Sequence, residues 1–162
     1  MVRTVALSAT PPYTLRVTSA LYDRDILRLA ASIPHQRRLL SPQGSAERRS
    51  PVCGSRVAVD IDLDAQGVVV AFGQEVNACA LGQASAALLG AHTLGRTASQ
   101  IAAARDALAA FLQGTRDDPG TWPGLSILDR ARPYPARHAS ILLPFQAAAE
   151  AVAHAGAHEE AH

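Results

Sequence analysis

The stretch SPVCGSRVAVDIDLDAQGVVVAFG, Ser50 to Gly73, decides how the rest of the chain is read. Within it, Val57-Ala58-Val59-Asp60-Ile61-Asp62-Leu63 alternates apolar and acidic residues with a period of two. That is the pattern of a strand with one buried face. Asp64-Ala65-Gln66-Gly67 has turn chemistry, and Val68 to Gly73 starts a second strand-like run, so the two form a hairpin. Ala46 to Pro51 is the candidate third strand. Asp60, Asp62 and Asp64 are then expected on a solvated outer face. Just ahead of the first strand, Pro51-Val52-Cys53-Gly54 reads as a turn, and it bears one of the two cysteines of the chain.

Working outward, the flanking segments have helical periodicity. Asp23 or Asp25 can N-cap a helix whose apolar stripe is Ile26, Leu27, Leu29, Ala30 and Ile33, ending at Pro34. His35 to Ala46 holds Pro, Gly and Ser and reads as a loop. On the other side, Cys79 opens the helical segment ALGQASAALLG, with a glycine stop expected at Gly90. Thr97 or Ser99 caps the next helix, which Gly114 ends. Thr115 to Pro135 contains four prolines and two glycines and reads as mostly loop, anchored to the body by Trp122. Ala136 to Ala153 reads as an amphipathic helix. Strands first and helices after define an α+β design, a small antiparallel sheet of about three strands packed against helices. The expected organisation is a flexible extension over residues 1–20, a single domain over 21–153, and a disordered His-containing tail over 154–162.

Composition narrows the function classes. A chain of 162 residues has room for one domain with a real core. Its 48% hydrophobic and 18% charged residues are those of a globular protein. Fifteen Lys+Arg against 14 Asp+Glu leave a net charge of +1, without the basic excess of a nucleic-acid-binding protein. All the basic residues are Arg and Ala is abundant, which reflects a GC-rich coding bias. Two cysteines make no disulfide framework, and no run reaches the ~18 apolar residues of a membrane span. Pro11 and Pro12 break the N-terminal region, which argues against a signal peptide and for a cytoplasmic protein.

The chemistry centres on the two thiols. Cys53 lies in a turn and Cys79 at a helix N-terminus, where the dipole and free N–H groups favour the thiolate. The hairpin between them would bring both to one end of the sheet. His138, near the start of the last helix, is the natural third member if that helix docks beside them. Packing is the competing role for each cysteine, because free Cys is among the most buried residue types. His154, His158 and His162 recur at helical spacing in the tail. GQASAALLG lacks the Lys-Ser/Thr of a phosphate-binding P-loop.

The order RRSPVCGSR, hairpin, NACALGQASAALL, Ala-rich helix and PARHASILLPF resembles the NifU/IscU/SufU-type iron–sulfur cluster assembly scaffold family. The likeness runs from about Leu21 to Val152 and is closest to the SufU-like branch. The family's first motif, Pro-x-Cys-Gly-Asp, reads here Pro51-Val52-Cys53-Gly54-Ser55, so Ser55 replaces the aspartate. Cys79 matches the cysteine of the second motif. If Leu143-Pro144-Phe145 stands where the family has Leu-Pro-Trp, the third cysteine has become Ser140. If His138 is instead the IscU-type histidine, that cysteine has become Ala139. The resemblance implies a scaffold or sulfur and metal carrier that binds an iron–sulfur cluster, iron or zinc through Cys53, Cys79 and His138. It implies a cysteine desulfurase and acceptor apo-proteins as partners, a homodimer as an option, and no independent catalysis. The alternative is a metal-free binding or regulatory relative that keeps the fold. A Cys/His enzyme, with Cys79 as nucleophile and His138 as base, is a third reading that lacks an orienting group.

Overall fold

The computed structural model describes residues 23–160; the expected N-terminal extension over residues 1–20 lies outside them. Asp23 caps the first helix, α1 (Arg24–Ala30), its carboxylate accepting from the Ile26 N–H at 3.0 Å. Only part of the expected stripe is buried: Ile26 is fully covered, whereas Leu27 is half exposed.

Three strands form one antiparallel sheet in the order β1 (Gly44–Arg49), β2 (Arg56–Leu63), β3 (Val69–Asn77). The third strand therefore exists, in register from Gly44 opposite Ile61 to Arg49 opposite Arg56. β3 runs past the expected Gly73 to Asn77. Its continuation is held by Gln74, whose buried amide donates to the carbonyls of Pro34 and Ala86, both at 3.0 Å. Arg56 meets Glu75 at 3.2 Å across the same strand pair.

Val57, Val59, Ile61 and Leu63 face the helical layer, as period-two reading requires. The opposite face is not the solvated one expected. Asp60 is fully buried there, because the segment from His35 to Gln43 folds across it. Arg38 grips Asp60 in two bonds of 2.7 and 2.9 Å, and the Leu39 N–H and Ser45 hydroxyl complete its shell. Burial pushes the Asp60 carboxyl up, but the bonds from Arg38, Ser45 and Leu39 outweigh it and hold the group below the usual carboxylate range. Asp62 accepts from the Gln43 N–H, and Asp64 closes the hairpin turn by accepting from Gln66 and Val68.

The helical layer consists of α2 (Ala80–His92), α3 (Ala98–Gln113) and α4 (His138–Glu160). α2 does not stop at Gly90. A Cβ there would lie 2.7 Å from Gln74 Nε2 and 3.1 Å from the Pro34 carbonyl, so the glycine serves a close approach rather than a turn. α3 has the expected ends: a capping box of Thr97 and Gln100, and Gly114 at φ +86. The Pro/Gly-rich connection carries two 3-10 turns, Leu125–Ala131 and Pro135–Arg137. Trp122 pins it down, donating its indole N–H to the Leu88 carbonyl at 2.9 Å and packing edge-on against Phe145.

α4 lies across β1 and β2 and extends to Glu160, seven residues beyond the expected end at Ala153. Ala155 is fully buried and His154 Nδ1 lies 2.8 Å from the Ser45 carbonyl, so β1 holds this part of the helix. Gly44 lets the strand approach, since a Cβ there would collide with the Ala151 carbonyl and Ala155. The side chains of His158 and His162 lie outside the described residues. No helix among the described residues is long and apolar enough to cross a membrane.

Candidate functional site

Cys53 sits in the short connection from β1 to β2. The Ser50 N–H donates to the Ser55 carbonyl and the Gly54 N–H to the Ser50 carbonyl, each at 2.9 Å. Closing so short a loop requires a left-handed residue, which Gly54 supplies at φ +74. Pro51, Val52, Cys53 and Gly54 are all exposed. Cys79 is the N-cap of α2, partly buried, and its carbonyl accepts the Gln83 N–H at 2.8 Å.

The two thiols belong to one cluster. Cys53 Sγ lies 3.1 Å from Ser55 Oγ, Ser55 Oγ lies 3.3 Å from Ser140 Oγ, and Ser140 Oγ lies 3.3 Å from Cys79 Sγ. Ser55 and Ser140 are buried, at 4% and 1% exposure, so the hydroxyls are the deep members and the thiols the outer ones. The Ser50 and Ser55 hydroxyls and the Ser55 backbone hold the Cys53 thiol down to about 7. About half of it is therefore thiolate at neutral pH.

Close packing of α2 on α4 builds this arrangement. A Cβ on Gly82 would lie 2.6 Å from Ser140 Oγ and 2.8 Å from the Ala78 Cβ, so only glycine lets Ser140 reach Cys79. Ser85 donates to the Ile141 carbonyl at 2.6 Å, tying the same two helices one residue further along. Neither residue is marked in the sequence as part of a site. Their signal is small-residue spacing, which a well-formed helix shares.

His138 takes a different position. Its Nε2 lies 2.9 Å from the Ala131 carbonyl, which anchors the start of α4 to the 3-10 turn. Of the two alignments of the third motif, the geometry favours Ser140 as the residue beside the thiols. Among the described residues, no three of His, Cys, Asp and Glu converge as a metal ion requires. Two thiols and two hydroxyls do not fit a closed four-ligand zinc or cluster shell on a single chain, because serine stays protonated and is a poor ligand for soft metals.

Neither a protein-family model nor a curated protein matches this sequence. Solved structures do. The N-terminal part of a nitrogen-fixing NifU-like protein from Brucella abortus is 34% identical, with a TM-score of 0.82 over 87% of this chain and 98% of that one. A protein from Fervidobacterium islandicum assigned to iron–sulfur cluster assembly in the SUF system shares the fold at 20% identity, with a TM-score of 0.70 over 83% of this chain and 98% of that one. The chain belongs to the NifU/IscU/SufU-type family.

Proposed function

We propose that this chain acts in iron–sulfur cluster assembly, as a scaffold or carrier whose cargo is held by the thiolates of Cys53 and Cys79. The observation that carries the reading is the meeting of the two thiols at one end of the sheet, where the hydrogen bonds of Ser55 and Ser140 join them. Membership of the family supports it, as does the description of the SUF-system protein as an assembly scaffold. Iron, or iron with sulfide, is the expected cargo; zinc suits two thiolates as well but needs two further ligands. A cysteine desulfurase is the fitting sulfur donor, and catalysis by the chain itself is not part of the reading. His138, whose Nε2 is engaged with the Ala131 carbonyl, is not counted among the ligands in this reading.

The test is anaerobic purification followed by iron, zinc and sulfide analysis and an absorption spectrum. Wild type is expected to carry iron, and a Cys53→Ala/Cys79→Ala variant to carry none. Retention of the same metal by the double variant would sink the assignment.

A second reading is favoured by the replacement of two ligand positions with Ser55 and Ser140: a metal-free binding or regulatory relative that retains the fold. Wild type that holds neither iron nor zinc, and gains neither when supplied with desulfurase, cysteine and iron, is the outcome that selects it.

A further inference from the structure

A recess that includes neither thiol lies between α1 and the 3-10 turn Leu125–Ala131, with a volume of about 490 Å3. That is within the ~300–1,000 Å3 of sites that enclose a bound group. Leu29, Leu88 and Ile127 give it an apolar lining, and the exposed Asp25, Arg28 and Ser126 border it. Gly124 helps to keep it open, since a Cβ there would lie 2.6 Å from Leu88 Cδ2.

The described chain begins at this recess. Asp23 caps α1, and its carboxylate also meets Arg130 of the facing turn at 2.8 Å. The residues before Asp23 therefore depart from between the two walls. Asp25, Arg28, Leu29 and Ser32 run along one wall at helical spacing, a stripe about 10 Å long. Some three extended residues span that distance. In the preceding sequence, Leu15-Arg16-Val17 puts two apolar side chains on one side of an extended run and a cation on the other. Thr18 to Tyr22 gives the chain five residues in which to double back. Asp25 has no ion-pair partner among the described residues, so a carboxylate is free at the border to receive that cation. We infer that Leu15 and Val17 occupy the recess, with Arg16 beside Asp25, so that the N-terminal segment straps α1 to the 3-10 turn. The strap covers the part-exposed Leu29 and Ile127, apolar surface otherwise left in water.

The test places the photoreactive residue p-benzoylphenylalanine at Ser126 of the purified full chain and, in a second variant, at Ser32, both exposed positions. After irradiation, mass spectrometry of the monomeric product is expected to find crosslinks into the segment Tyr13 to Thr18. Crosslinks from both positions that reach only other segments overturn the inference. So do crosslinks found only in a product of twice the mass, which would assign the recess to a second copy of the chain. A double-mutant cycle on the full chain gives an independent readout. Leu15→Ser/Val17→Ser should lower the thermal midpoint by about 5 °C. In an Ile127→Ser background the same change should lose most of its effect, because residues in contact are not additive. An unchanged midpoint, or full additivity of the two changes, overturns the strap as well.

Discussion

Cys53 is the residue whose chemistry is most exposed to measurement. With its thiol held near 7 by Ser50 and Ser55, its alkylation rate should climb steeply between about pH 6 and 8 and level off above, following thiolate fraction. Ser55→Ala is expected to shift that profile to higher pH, read by iodoacetamide labelling and mass spectrometry; an unshifted profile would show that the Ser55 hydroxyl does not stabilise the thiolate. Gly82 is the second residue with a sharp expectation. Gly→Ala inside a helix normally stabilises by about 1 kcal/mol, but here the added methyl meets Ser140 and Ala78. Overpacking of this kind costs ~1–3 kcal/mol, so Gly82→Ala should lower the urea midpoint; a raised midpoint would mean that α2 and α4 separate freely.

At the scale of elements, the outer face of the sheet depends on one carboxylate. Asp60→Ala leaves the Leu39 N–H and the Ser45 hydroxyl without their acceptor, while the half-exposed Arg38 can turn to water. The expected loss is ~2–4 kcal/mol, measured by urea unfolding at neutral pH. The pH dependence follows from the direction of the shift. Asp60 is held below its ordinary value of 3.8, so its contribution is present above about pH 4 and fades as pH falls through the folded-state value. The stability gap between wild type and Asp60→Ala should therefore narrow on acidification below pH ~4. A gap that stays constant would place the effect in packing rather than in the ionised carboxylate.

Across the whole molecule, Trp122 joins the Pro/Gly-rich connection to both α2 and α4. Trp122→Ala should cost about 4 kcal/mol from the lost burial and cavity, visible in thermal unfolding followed by circular dichroism. The connection's attachment to the body was legible in the sequence, because a lone Trp among prolines and glycines has little reason to stay in solvent. So were the β2–β3 hairpin, the caps of α3 and the placing of Cys53 and Cys79 at one end of the sheet. Burial of Asp60 was not, because period two distinguishes faces but does not say which loop, some twenty residues away, covers one of them. Gly90 and Gly82 misled or went unnoticed for a related reason: a glycine at a turn and a glycine at a helix contact are the same letter. The place of Ser140 was legible only through one of two alignments, and in the structure its hydroxyl lies 3.3 Å from the Cys79 sulfur.

The four side chains Cys53, Ser55, Ser140 and Cys79 also define a proton inventory. With both thiols neutral, four protons serve three contacts. Removing the Cys53 proton leaves three for three, and every bond can then point one way, from Cys79 through Ser140 and Ser55 to the Cys53 sulfur. Removing a second proton leaves two for three contacts, so one of the three loses the hydrogen that bridges it. The cluster thus accommodates one negative charge with all its bonds intact and a second only by giving up one of them. Any cation that claims both sulfurs therefore breaks this chain of hydrogen bonds at one contact as it binds.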